Sequence, residues 1–453
     1  MRIISLSVLL QIANLANAQV DFIGCATEAP SIRWESVLQG LIKKPLAENK
    51  HGKTMTSHYV IPVVFHVIHG GEPVGAYPNI LQQQIASQVT IINQDFSGNG
   101  YNAANYPAAA FVNWANNQKI PLANIDQNGR IKIADFNIEF CLATIDNNGN
   151  SLTEPGINRI NYLQEGWVNP NKFSTQATMK SYLDSIIKPQ SIWDVKKYLN
   201  VWITDKSTLL NYAGVSSVPP LSGLPDLPGN ATESTDGIWC FTKAVGSYTL
   251  FPAGTYVSTF IDGRTLTHEI GHYLGLRHIW GDLACGNDFC DDTPPASAEN
   301  TGTPVYPLNA GSCASPSNNP DGEMFMNFMD YTRGPSKYMF TTDQKTRAQT
   351  VMLNSPFRNQ LGTHNLCGTI NSTNDVIGPN PIAVFPNPSN NHIQIGAGKQ
   401  QILRIKILDR TGLIVKETTS SSISVQELPA GVYFVLVEGV NQNFSTKLLV
   451  SHH

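Results

Sequence analysis

The hydrophobic pattern divides the chain into regions of different character. Tyr59-Val-Ile-Pro-Val-Val-Phe-His-Val-Ile68 is apolar at nearly every position, which predicts a strand covered on both faces. From Ile80 to Asn93 the apolar residues recur mostly three or four apart, which predicts a helix. Apolar runs from Ile131 to Ala143 and from Tyr198 to Thr204 predict further strands of one sheet. Strand followed by helix implies α/β (α+β) organisation, closing on a helix after the sheet. Periodicity then vanishes in residues 369–381, where Asn371 to Pro381 reads Asn-Ser-Thr-Asn-Asp-Val-Ile-Gly-Pro-Asn-Pro, a linker composition. Beyond it, short apolar runs at Ile393–Ile395, Leu403–Leu408, Leu413–Lys416, Val432–Val437 and Lys447–Val450 alternate with turns such as Asp409-Arg-Thr-Gly412. Residues 382–453 are thus expected to form a small all-β sandwich.

The start of the chain follows other rules. Arg2, an apolar run from Ile3 to Ile12 and the small residues Ala16 and Ala18 predict a secretory signal peptide over residues 1–18. Residues 19–57 hold few strand-like runs and end in the polar stretch Glu48–Ser57, so a pro-segment is expected ahead of a catalytic unit at 58–368. At 453 residues the chain exceeds what one core supports, in line with several units. A formal charge of -4 without a Lys/Arg cluster gives no footprint for nucleic acid, and no later stretch reaches the ~20 apolar residues of a membrane span. Seven cysteines suit an oxidising compartment, and an odd number leaves at least one outside any disulfide.

Candidate chemistry concentrates in Thr267-His268-Glu269-Ile270-Gly271-His272-Tyr273-Leu274-Gly275-Leu276-Arg277-His278. Two histidines four apart share one helix face and reach a single ion. Leu266, Ile270 and Leu274 already supply the apolar face, so the histidines have no packing task. Gly275 accommodates a positive φ, ends the helix and lets His278 come up as third ligand. Three protein ligands leave a fourth position open, the mark of a catalytic Zn²⁺ site, and Glu269 beside them is placed to act as general base. A peptidase scaffold retained for binding alone is the competing reading. The presence of all three histidines and Glu269 favours the enzyme.

Downstream, Asn327-Phe-Met329-Asp-Tyr331 resembles the methionine turn of metzincin metallopeptidases. Within that clan the chain resembles the pappalysin family over most of residues 58–350. The resemblance is carried by Ile61-Pro-Val-Val-Phe-His66-Val-Ile, Phe140-Cys-Leu-Ala143, Gly156-Ile-Asn-Arg159, Tyr198-Leu-Asn-Val-Trp-Ile203, Gly263-Arg-Thr-Leu-Thr-His268, His278-Ile-Trp-Gly-Asp282, Asp291-Asp-Thr-Pro294, Met329-Asp-Tyr331 and Phe340-Thr-Thr-Asp-Gln344. It implies a twisted sheet with an active-site helix and a zinc endopeptidase acting on proteins or peptides. It also implies Met329 as an apolar floor under the metal and calcium supporting nearby loops. Tyr331 either hydrogen-bonds a developing oxyanion or is simply a buried tyrosine.

In Cys285-Gly-Asn-Asp288-Phe-Cys290-Asp291-Asp292-Thr293-Pro294 the oxygen ligands suit Ca²⁺, with Asp288, Asp292 and Thr293 as candidates; a solvated acidic turn is the alternative. By resemblance Cys285 pairs with Cys313. Cys25 stands where related zymogens place a cysteine whose thiolate fills the open zinc position, and the plainer reading is an ordinary free cysteine. The chain departs from the family at Thr332-Arg333-Gly334-Pro335-Ser336: the carboxylate that gives a basic cleavage preference is missing, and so is a cysteine, which leaves Cys290 free or paired otherwise. Val384-Phe-Pro-Asn-Pro388, Ile407-Leu-Asp-Arg-Thr-Gly412, Leu428-Pro-Ala-Gly-Val-Tyr433 and Lys447-Leu-Leu-Val450 resemble the sorting domain read by the type IX secretion machinery. A latent, secreted or surface-displayed metalloendopeptidase is the expectation.

Overall fold

The computed structural model describes residues 24–45, 47–221, 231–313, 319–367, 383–385, 389–396, 402–409, 413–439 and 443–451. The expected signal peptide at 1–18 and the expected linker at 369–381 lie outside them. The chain forms two compact units, residues 1–368 and 369–453.

The first unit is built on β1, Tyr59–His69, which runs through the core and is buried at nearly every position. Strands β2 (Ile138–Leu142) and β3 (Ile157–Asn161) pair in parallel with successive parts of one of its edges. On its other edge β4 (Leu199–Thr204) pairs in parallel, followed by β6 (Ile238–Phe241) and the antiparallel edge strand β5 (Gly214–Ser216). The predicted strand at 131–143 is shorter than its apolar run. Ile131, Ala134 and Phe136 are buried as loop residues, because apolar runs report burial and not ladder bonds.

Side chains alternate across the sheet. Ile61, Val63, Phe65 and Val67 of β1 share a core with Ile85, Val89, Ile92 and Phe96 of α2 (Gln82–Phe96) and with Leu266 and Ile270 of the later helix Arg264–Tyr273. Ile68, Trp202 and Trp239 instead meet Met179, Leu183 and Ile187, from α4 (Gln176–Tyr182) and the π-turn that joins it to α5 (Lys188–Ser191). Short α3, Val112–Gln118, packs Trp114 into the first core. We number Arg264–Tyr273 as α6 and Thr342–Asn354 as α7; α7 opens on a capping box in which Thr341 and Gln344 satisfy each other's backbone amides.

One helix lies in the stretch expected only as a pro-segment, although its apolar residues Trp34, Val37, Leu38, Leu41 and Ile42 follow a helical spacing. Ile32–Lys43 forms α1, capped by Ser31, and buries Trp34 and Leu38 against Val218, Leu221 and Val351. Trp34 Nε1 also donates to the Pro219 carbonyl at 2.8 Å. Arg347 on α7 makes a bidentate pair with Glu35, both side chains being fully buried. Removing one partner of such a pair leaves an uncompensated charge, at a cost of about 3–5 kcal/mol. The segment 24–45 is thus anchored to the first unit by packing and by charge.

The second unit is all β. One sheet has the order β10-β9-β12-β13 (Ile414–Thr418, Ile402–Leu408, Gly431–Gly439, Asn443–Val450), the other β11-β8-β7 (Ser422–Ser424, His392–Gly396, Ala383–Phe385). Ile393, Ile395 and Ile423 from the smaller sheet meet Ile405, Ile407, Val435 and Val437 from the larger in one core, the expected sandwich.

Candidate active site

The site lies where α6 passes the edge strand β5. Asp95 of α2 fixes the start of α6, accepting from Arg264 Nη2 at 2.9 Å and from Thr267 Oγ1 at 2.8 Å. Gly275 adopts φ +87 just past the helix, and Gly275 N and Leu276 N close the turn on His272 O and Gly271 O. Gly271 lies directly over Met329: a Cβ there would be 2.3 Å from the sulfur of that wholly buried side chain, which would have to move. A glycine inside a helix costs about 1 kcal/mol against alanine, and here that cost permits close approach of the methionine floor.

Three imidazoles converge above this floor. His272 Nε2 is 3.1 Å from His268 Nε2 and 3.1 Å from His278 Nε2. Each ring's other nitrogen donates elsewhere: His268 Nδ1 to Phe328 O at 2.7 Å, His272 Nδ1 to Leu276 O at 2.9 Å and His278 Nδ1 to Asp282 Oδ1 at 2.5 Å. Carbonyl and carboxylate oxygens only accept, so each Nδ1 carries a proton, and in the neutral ring Nε2 is then the atom with the lone pair. Burial holds His268 well below the usual histidine range and His272 at about 3, with the neighbouring imidazoles adding to the effect, so both are neutral at ordinary pH. Three facing lone pairs repel one another unless a cation lies between them. Tetrahedral zinc with Zn–N near ~2.0–2.1 Å requires nitrogens about 3.3 Å apart, which the observed spacing approaches. The donor set therefore fits Zn²⁺. Against the upward pull of burial, the hydrogen bond from His278 and the charge of Arg277 hold Asp282 below the usual carboxylate range, so His278 has an ionised partner.

Cys25 completes the cluster. It bridges to Gly214 on β5, is buried, and offers a sulfur within 4.8 Å of the three histidine nitrogens; among the described residues this is the one such group of potential metal ligands. With the protein's own groups alone, burial and then the Glu269 charge push its thiol well up. A coordinated dication reverses that sign and deprotonates a thiol. The strand-like segment around it runs parallel to β5, with Ala26 N donating to Gly214 O at 3.0 Å and Ala213 N to Gly24 O at 3.2 Å.

Glu269 is buried and raised to about 8, first by burial. Its Oε2 accepts from Thr27 Oγ1 at 2.9 Å, and its Oε1 has no hydrogen-bond partner among the described residues. Thr27 Oγ1 in turn accepts from Ser216 N at 2.7 Å. Sequence reasoning missed Thr27, since a single threonine gives no signal that its partner lies 242 positions away. Tyr331 is brought into the site: its hydroxyl lies 3.1 Å from His278 Nε2 and donates to Cys25 O at 3.3 Å.

The proposed calcium residues are only partly brought together. Thr293 Oγ1 donates to both carboxylate oxygens of Asp288 at 2.8 Å. Asp292 instead accepts from Asn124 Nδ2 at 3.0 Å and Asp343 N at 3.0 Å, so Asn124 and Asp343 belong to its surroundings. Cys285 and Cys313 form a disulfide, as the resemblance implied, and so do Cys141 and Cys367, 226 positions apart; Cys25, Cys240 and Cys290 are free.

Comparison with known proteins extends this picture. Residues 181–353 match a peptidase family model described as pregnancy-associated plasma protein-A, and residues 383–451 match the secretion system C-terminal sorting domain. An extracellular metalloprotease of Colletotrichum graminicola is 32% identical over 33% of this chain and 47% of its own length; one of Pyricularia oryzae is 33% identical over 31% and 47%. The chain thus spans about half the length of these fungal relatives. Among solved structures, mirolysin in complex with a compound is 30% identical, covering 69% of this chain and 99% of its own with a TM-score of 0.52. A Tannerella forsythia promirolysin mutant is 27% identical over 77% of this chain and 97% of its own, with a TM-score of 0.53. The second unit is a secretion sorting domain, and the protein is one that is secreted or displayed at the cell surface. Identity of 30% over nearly the whole of mirolysin, together with a family match that runs through the histidine helix and the methionine turn, shows that the chain belongs to the pappalysin family of metallopeptidases.

Proposed function

We propose that the chain is a zinc endopeptidase made in latent form, with His268, His272 and His278 holding the metal and Glu269 as general base. The observation that carries this is the convergence of three Nε2 lone pairs whose Nδ1 protons are each committed elsewhere. Bound there, zinc supplies Lewis-acid polarisation of the scissile carbonyl and acidifies the attacking water. Glu269 takes the proton of that water through its unpartnered Oε1 and returns it to the leaving amine. The Tyr331 hydroxyl donates to the carbonyl oxygen as it gains charge. Extended substrate backbone lies along β5, using the groups of Ala213 and Gly214 that segment 24–27 now occupies.

On this reading residues 19–57 are the pro-segment. Cys25 fills the open metal position while Thr27 holds the general base, so two catalytic groups are blocked by residues two positions apart. The second unit is the address read by the type IX secretion machinery. Calcium remains part of the proposal: Asp292 Oδ1 is buried without a hydrogen-bond partner among the described residues, an oxygen that a cation would satisfy. The endopeptidase reading is tested by incubating the processed chain with an unfolded protein and reading new termini by mass spectrometry. Internal cleavages are expected; release of terminal residues alone contradicts it.

A further inference from the structure

A cavity of about 760 Å³ opens beside His268 and Glu269, between the loop before α6 and the segment that follows Tyr331. Its charged lining is not uniform. Glu299 and Arg333 are exposed, carry opposite signs and stand at the rim. Asp262 is half-buried and accepts from the Tyr101 hydroxyl at 3.2 Å. Arg264 is buried but spent, on Asp95 and on the carbonyls of Gly334 and Lys337.

Lys337 differs from all of these. It is 7% exposed and lines the cavity, yet among the described residues its ammonium has no ion pair within 4.0 Å and no hydrogen bond. The opposite charges that act on it, Asp330 first and Glu269 after it, do so without a direct contact, and the Asp330 carboxylate accepts instead from Asn300 N at 2.7 Å, Asn300 Nδ2 at 2.9 Å and Tyr331 N at 2.8 Å. A buried ammonium that makes no direct hydrogen bond is costly, and an entering carboxylate supplies a charge-assisted one. An entering Lys or Arg side chain meets a like charge in a buried place, and an apolar one buries the ammonium further.

We propose that Lys337 is the specificity-determining charge of this cavity, which receives an acidic side chain, Asp or Glu, next to the cleaved peptide bond. This rests on the endopeptidase reading above and adds to it the class of substrate. The rim charges Glu299 and Arg333 offset each other, Asp262 accepts from Tyr101, and Glu269 is the proposed general base, so selection falls to Lys337.

The test is a peptide library randomised at the two positions flanking the cleaved bond, followed by kcat/KM for matched peptides carrying Glu, Gln or Lys at the selected position. The wild-type enzyme is expected to favour Glu over Gln by at least about tenfold, as a site built around one polar partner does. Lys337→Met should bring that ratio close to one, and Lys337→Glu should turn the preference toward Lys. Because each ratio compares two substrates of one variant, loss of folded protein cancels, and the wild-type ratio decides the matter even if a variant fails to fold. Equal cleavage of Glu and Gln peptides by the wild type, or a Glu preference that survives Lys337→Met, overturns the proposal. A library left wholly uncut removes the peptidase reading, and this inference with it.

Discussion

Glu269→Ala in the processed enzyme is expected to lower peptide hydrolysis by on the order of 10³ to 10⁴-fold while leaving one zinc per chain. The two effects separate because the groups are distinct. The three nitrogens that face one another belong to His268, His272 and His278, each oriented through its Nδ1 by Phe328, Leu276 or Asp282, and none depends on Glu269. What the substitution removes is a buried carboxylate that hydrogen-bonds Thr27 in the latent chain and is free to accept a proton once residues 24–27 leave. Metal analysis and hydrolysis on the same preparation check the result. Turnover near the wild-type level would assign the proton transfer to another group.

Cys25→Ala is expected to convert the latent chain to the active form faster, by on the order of tenfold, equivalent to about 1.4 kcal/mol. The size is limited because Cys25 is one of several anchors. Glu35 with Arg347, Trp34 with Val218 and Val351, and Thr27 with Glu269 all remain, and they hold α1 and residues 24–27 in place. Adding Glu35→Ala should therefore speed conversion well beyond either change alone. Time courses of the size shift on a gel measure it, and an unchanged course for Cys25→Ala would reduce that residue to an ordinary buried thiol.

Much of the candidate site is legible in the sequence because its chemistry is local. The spacing of His268 and His272 is a helical spacing, Gly275 marks the turn, and His278 follows within one loop. Even the His278 partner, Asp282, sits only four positions further along the chain. The strands β1 and β4 are legible for a different reason: both are buried on two faces, so most of their residues are apolar.

What the sequence conceals is contact across long separations. Thr27 reaches Glu269 over 242 positions, and Glu35 reaches Arg347 over 312, with no pattern at either end to announce the partner. Helix α1 carries a pattern, with Trp34, Val37, Leu38, Leu41 and Ile42 recurring three and four apart behind Ser31, but nothing in it announces what it packs against. The edge strand β5 spans three residues, and its role comes from what it lies beside. The acidic loop shows the converse case. Asp288, Asp292 and Thr293 are neighbours in sequence, yet in space Asp292 faces Asn124 and Asp343, because the turn at Cys290–Thr293 directs successive side chains to different surroundings.

The most direct measurement takes the processed enzyme, strips its metal with a chelator, and follows hydrolysis of an unfolded protein as zinc is added back. Hydrolysis should be absent in the stripped protein and recover to its full rate at one zinc per chain. Hydrolysis that persists in the zinc-free protein would contradict the assignment of His268, His272 and His278 as the centre of a metallopeptidase.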